Sequence, residues 1–136
     1  MITKLAGCIL LDARGRIGLL HRNKKGITQW ELPGGKVEPN ERDEEAAIRE
    51  LQEELGVTVR IEKEIGSTSF ESSGAQYEYA WFLAGIEKGS PRVCEPDTFD
   101  DFRYVTLREL EELELSGNMQ QFFRQLKAGK ISLPIH

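Results

Sequence analysis

Glu50, Glu53 and Glu54 are the residues of this 136-residue chain whose type and spacing could do chemistry together. On a helical wheel of about 100° per residue, Ala47, Ile48, Leu51 and Leu55 share one arc and face the core. Glu54 and Glu50 fall at the edge of that arc, and Glu53 a little further round. Like charges three and four residues apart on a helix repel each other. Stability alone gives no reason to gather them. Two conditions make the cluster tolerable. One is protonation, which raises the pKa of a member. The other is a bound divalent cation. Magnesium takes hard oxygen ligands, usually one or two carboxylates together with substrate phosphates. The plain alternative is a solvated acidic face, and the place of the carboxylates beside the core stripe counts against it.

The segment before the helix supplies a complement. Pro33-Gly34-Gly35 lets backbone approach a ligand closely, because glycine has no side chain in the way. Arg22, Lys24 and Lys25 lie just upstream and have the charge to meet phosphate oxygens. Arg22 is the favoured phosphate contact, and the two lysines read as surface charges. The same contrast shows in the charge count. The chain as a whole carries -5, from 18 basic and 23 acidic residues. Residues 1–37 hold seven basic and two acidic side chains, and residues 38–54 hold two basic and eight acidic. A basic segment runs directly into a very acidic one. The overall balance excludes a nucleic-acid coat or a basic membrane-surface protein. The local contrast suits a small polyanion.

Other bounds follow from composition. With 39% hydrophobic and 30% charged residues, the chain reads as one soluble globular domain over residues 1–136. No stretch approaches the roughly 18 apolar residues of a membrane helix. No signal peptide is legible at the N-terminus, which predicts a cytoplasmic protein. Cys8 and Cys94 both fall in strand-like segments and read as buried reduced thiols. His21 and His136 have no evident partner and read as structural or surface residues.

The elements that must position the cluster read as follows. Residues 3–11 form a buried strand, 12–15 a turn, and Ile17–His21 the returning strand of a hairpin. Residues 22–29 form an exposed loop, and Pro33-Gly34-Gly35 a strong breaker. Asn40 caps a helix from about residue 41 to Leu55, which Gly56 stops. Residues 57–71 and 76–87 are long strands. The second puts Tyr77, Tyr79 and Trp81 on one side and Glu78, Ala80 and Phe82 on the other. After a loop over 88–98 come a short strand from Phe102 to Thr106 and a short acidic helix over 107–114. An amphipathic helix over 117–128 follows, with Phe122, Phe123 and Leu126 inward. The order predicts a mixed α/β or α+β fold, with helices packed on a mixed sheet.

Gly35, Glu41 and Arg49-Glu50-Leu51-Gln52-Glu53-Glu54-Leu55-Gly56-Val57 resemble the Nudix box, Gly-x5-Glu-x7-Arg-Glu-U-x-Glu-Glu-x-Gly-U with U aliphatic. Nine specified positions agree over residues 35–57. Trp30-Glu31-Leu32-Pro33-Gly34-Gly35 also resembles the family's usual lead-in. The resemblance implies an α/β/α sandwich around a mixed sheet. It implies hydrolysis of a nucleoside diphosphate linked to a group X, with magnesium or manganese. The glutamates matching Glu50, Glu53 and Glu54 would be metal ligands and, in some members, the general base. The Gly34 carbonyl would be a possible further ligand. The arginine matching Arg49 would hold a box glutamate in place, and Glu41 would support.

A ligand or base often comes from outside the box in this family. Glu95, Asp97, Asp100 and Asp101 are the candidates here, with Glu95 preferred. The short length favours the compact MutT-like class, acting on nucleoside triphosphates as a monomer or homodimer. ADP-ribose or nucleotide-sugar hydrolysis is the alternative, and a non-catalytic nucleotide-binding module is another. None of the extra motifs of coenzyme A, diadenosine polyphosphate or NADH-type members is visible. Phe70, Tyr77, Tyr79 and Trp81 could stack on a base, but aromatics on long strands usually build the core.

Overall fold

The computed structural model describes residues 2–134. Strand β1 (Ile2–Leu10) lies in the middle of the fold, parallel to β6 (Ala75–Lys88) and antiparallel to β4 (Gly34–Lys36). Strand β5 (Thr58–Ser72) completes a four-stranded mixed sheet in the order β4-β1-β6-β5. A second, antiparallel sheet has the order β3-β2-β7, from β3 (Ile27–Glu31), β2 (Ile17–Lys24) and β7 (Phe99–Val105). Helix α1 (Asp43–Leu55) covers one side, and α2 (Leu107–Leu110) and α3 (Gly117–Lys127) cover the other.

Period-two alternation creates two cores from the same strands. Ile9, Tyr79, Trp81 and Leu83 face Leu110, Met119, Phe122 and Phe123. Cys8, Leu10, Ala80 and Phe82 face Ala46, Ala47, Leu51 and Leu55 of α1. Both faces of β1 and β6 are therefore covered. That is the α/β/α layering, with the strand faces of β6 as the sequence pattern has them.

Five expectations are corrected. Residues 2–10 and 17–24 do not form a hairpin: beyond one bridge, Leu11 to Ile17, each strand joins a different sheet. Both strands are apolar on two faces, so alternation could not say which partner each would take. Residues 22–29 are a β2–β3 hairpin rather than a loop. Its two turn residues, Lys25 and Gly26, both have positive φ (53° and 81°), as a type I′ turn demands. The break falls on Leu32 and Pro33, between β3 and β4 in different sheets, while the glycine pair enters β4. Asn40 is not the helix cap: it stands at φ 69°, and α1 begins after Arg42, whose N–H meets the Glu45 carboxylate at 2.8 Å. The expected C-terminal stop is present, with Gly56 at φ 70° donating to Gln52 O. Cys94 is in a loop, not a strand, and is only partly buried, unlike Cys8.

Candidate active site

The last turns of α1 run beside β4, and this contact builds the site. Glu54 is 5% exposed. Its Oε1 accepts the Gly34 N–H at 2.8 Å. A Cβ at Gly35 would stand 2.5 Å from the Glu50 carboxyl carbon, and one at Gly34 would collide with Gly7 and the Tyr79 hydroxyl. Gly34 is thus required for β4 and β1 to approach this closely, and a side chain at Gly35 would displace the Glu50 carboxylate. Burial pushes the Glu54 carboxyl well above its ordinary pKa. The Gly34 N–H opposes that, and the charges of Glu50, Glu95 and Glu31 add to it. Glu50 is raised by burial as well, partly offset by Arg49.

Arg49 gathers the remaining carboxylates. Its Nε and Nη2 donate to the two oxygens of Glu41 at 2.9 and 3.0 Å. Nη1 donates to Glu50 at 3.0 Å and to Glu53 at 2.9 Å, and Nη2 also reaches the Lys36 carbonyl at 2.9 Å. One planar fork therefore holds three glutamates and ties them to β4. The arginine lowers the Glu41 carboxyl to about 2, helped by the Glu38 N–H. Helical spacing by itself puts Arg49 beside Glu53, four residues on; the length of the side chain and the returning chain bring in Glu41 and Glu50.

The carboxylates outside the box separate. Asp100 is taken by His21 Nδ1 at 2.6 Å and Asn23 at 2.9 Å, and Asp101 by Arg103 at 3.1 Å. His21 therefore has a partner, contrary to expectation, and its ring also lies 4.7 Å from that of Trp30. His136 lies outside the described residues. Asp97 is exposed in a turn. Glu95 alone among the four candidates exerts a charge effect on both Glu50 and Glu54. Arg22 is paired with Glu31, at 2.6 and 3.1 Å, and stands over the Phe99 ring.

A recess of about 200 Å³ opens beside the cluster, between Arg22, Glu31, Gly34, Tyr79, Ser116 and Asn118. Trp81 Nε1 donates to Asn118 Oδ1 at 3.2 Å. Indole only donates, so the amide oxygen is the atom it fixes, and the amide N–H groups are left for another partner. A larger groove of about 440 Å³ lies at the β5–β6 hairpin, where Phe70 and Tyr77 stack on each other, away from the cluster. Trp81 is core, as the pattern suggested, and Tyr79 is buried with its edge on the recess.

Residues 1–126 match the family model described as NUDIX domain. The chain belongs to the Nudix family. It is 42% identical over 89 residues to a putative 8-oxo-dGTP diphosphatase of Bacillus subtilis (strain 168), covering 65% of this chain and 57% of that protein. It is 47% identical over 79 residues to the CTP pyrophosphohydrolase of Escherichia coli (strain K12), covering 54% and 57%. The match thus spans little more than half the length of these curated relatives. The crystal structure of the MutT protein from Methanosarcina mazei Go1 superposes with a TM-score of 0.82 at 23% identity, covering 95% of each chain. That likeness shows a shared Nudix fold.

Within the Nudix box, the structure brings Glu41, Arg49, Glu50 and Glu53 into one hydrogen-bonded group and sets Glu54 apart, against Gly34. Among the described residues no three His, Cys, Asp or Glu side chains converge into a ready metal cage. The chemistry of the donors nonetheless suits a hard divalent cation: buried Glu54, half-buried Glu50 and nearby Glu95 all offer carboxylate oxygens whose charges oppose one another. Sequence reasoning missed Glu31, Ser116 and Asn118. Glu31 was read only as part of the lead-in to the glycine pair. Ser116 and Asn118 look like an ordinary cap and an ordinary polar position of an amphipathic helix; only the fold carries the start of α3 to β3 and the recess.

Proposed function

We propose that this Nudix protein hydrolyses a pyrophosphate bond in a nucleoside diphosphate-X substrate, a nucleoside triphosphate or a related nucleotide, with Mg2+ or Mn2+. The observation that carries this reading is Glu54, a carboxylate kept nine-tenths buried against the glycine strand with Glu50 beside it. So costly an arrangement is explained by a cation and not by stability. Glu50, Glu53, Glu54 and the Gly34 carbonyl would hold the metal. When bound, it neutralises pyrophosphate charge and lowers the pKa of bound water.

The chain's own residues do the rest. Arg49 fixes Glu50 and Glu53 in place. Glu95 takes the proton of the attacking water. Arg22 and the backbone at Gly34 and Gly35 receive phosphate oxygens, Arg22 turning from Glu31 to do so. The recess takes the nucleoside end, and the free N–H groups of Asn118 meet an acceptor on its base. The names of the 8-oxo-dGTP and CTP hydrolases among the relatives support a triphosphate. The free thiols support a reducing, cytoplasmic setting. No helix among the described residues is long and apolar enough to cross a membrane.

A panel of nucleoside triphosphates, dinucleotides and nucleotide sugars, incubated with Mg2+ and resolved by product, tests the proposal. A monophosphate with pyrophosphate is the expected pair. A monophosphate with a sugar phosphate would move the assignment to nucleotide-sugar hydrolysis. Binding without any product would leave only a nucleotide-binding module.

A further inference from the structure

We propose that Arg92 is a positioning residue: it seats the 89–98 segment on the C-terminal end of α1 and thereby sets where Glu95 stands beside Glu50 and Glu54. The proposal rests on the hydrolase reading above and assigns a residue that reading does not use.

Helix α1 ends unfavourably by itself. Its last turn carries Glu53 and Glu54 and no basic residue, although a helix C-terminus favours cations. Its final carbonyls also need donors. Gly56 N serves Gln52 O at 3.0 Å. The next two partners come from the distant segment: Cys94 N reaches Glu54 O at 3.0 Å and Arg92 N reaches Leu55 O at 3.1 Å. The Arg92 guanidinium lies over the same spot. A Cβ built on Gly56 would stand 2.7 Å from Nη1 and 2.9 Å from Cζ. The cation that α1 lacks is therefore supplied from outside, at the helix end where the negative pole gathers.

Glu95 follows Cys94 directly. On its other side, the Glu95 carbonyl accepts Thr98 N and Phe99 N, both at 3.0 Å, and Thr98 O accepts Asn23 N of β2 at 2.9 Å. Phe99 is buried. Glu95 is thus hung between a buried anchor on β2 and β7 and a lighter anchor on α1, and the exposed Arg92 side chain belongs to the lighter one. Loss of that side chain should free Glu95 to swing while the cores remain intact.

The test uses the whole chain with Mg2+ and a nucleotide it turns over. Arg92→Ala should lower kcat by about tenfold, the size typical when a partner that orients a site residue is lost, with KM nearly unchanged. Arg92→Lys should restore most of the rate, because the cation returns to the helix end. In a Glu95→Gln background, Arg92→Ala should cost nothing further, since two residues acting through one group are not additive. Circular dichroism and the thermal midpoint establish that each variant is folded, and Arg92→Gln replaces the alanine variant if that one does not fold. Wild-type kcat in Arg92→Ala and Arg92→Gln, or losses that multiply in the double variant, would overturn the proposal. A wild-type chain that turns over no nucleotide would overturn the hydrolase reading along with it, which no variant result does.

Discussion

Glu54 Oε1 accepts the backbone N–H of Gly34 at 2.8 Å, so the buried carboxylate of α1 and the glycine strand form one unit. Glutamine in place of Glu54 keeps the shape and the acceptor but removes a charge that burial penalises. Glu54→Gln should therefore fold, with a metal-free thermal midpoint equal to or above that of the parent. Its turnover should fall by about two orders of magnitude or more, because the proposed metal ligand is lost. Calorimetry and steady-state kinetics on the same preparation check both halves. Near-parental turnover would contradict the metal assignment.

Arg49→Lys tests the fork. An ammonium cannot reproduce the paired bonds to Glu41 while also reaching Glu50, Glu53 and the Lys36 carbonyl. Activity should fall by about 10- to 100-fold, as when an orienting partner of a metal site is lost. Retention of full activity would show that charge alone suffices.

Acid stability follows from Glu41. Arg49 lowers its carboxyl from 4.5 to about 2 in the folded chain. A depressed pKa contributes stability above the unfolded value and loses it as pH falls through the folded one. Urea midpoints of the parent and Glu41→Gln should differ at pH 7. They should converge as pH falls from about 4.5 towards 2. A gap that is constant with pH would contradict this.

Arg22→Ala should raise KM more than it lowers kcat, as expected for a contact made equally with substrate and transition state. The opposite split would mean that Arg22 acts on the reaction itself. Its pairing with Glu31 makes Glu31→Gln informative too. Freed from its carboxylate, Arg22 should bind phosphate more readily, and KM should fall.

The sequence conveyed the box, the helix and the strand faces because each depends on local spacing. Leu51 and Leu55 are buried and Gly56 stops α1, as periodicity and the left-handed cap require. It did not convey which sheet β2 joins, since Ile17, Leu19 and Leu20 are apolar on both faces and fit either neighbour. Lys25-Gly26 hid a hairpin because lysine is a rare occupant of a positive-φ turn position. The recess depends on Asn118 meeting Trp81, 37 residues away in the chain, and no local pattern records that contact.

The most direct test of metal-dependent pyrophosphate hydrolysis is a Mg2+ titration of the metal-stripped protein with a nucleoside triphosphate, following pyrophosphate release. No release without metal, release that saturates with Mg2+, and its loss on chelation are the expected results. Equal release with and without a chelator, or no release at any Mg2+ concentration from any triphosphate, would contradict metal-dependent hydrolysis.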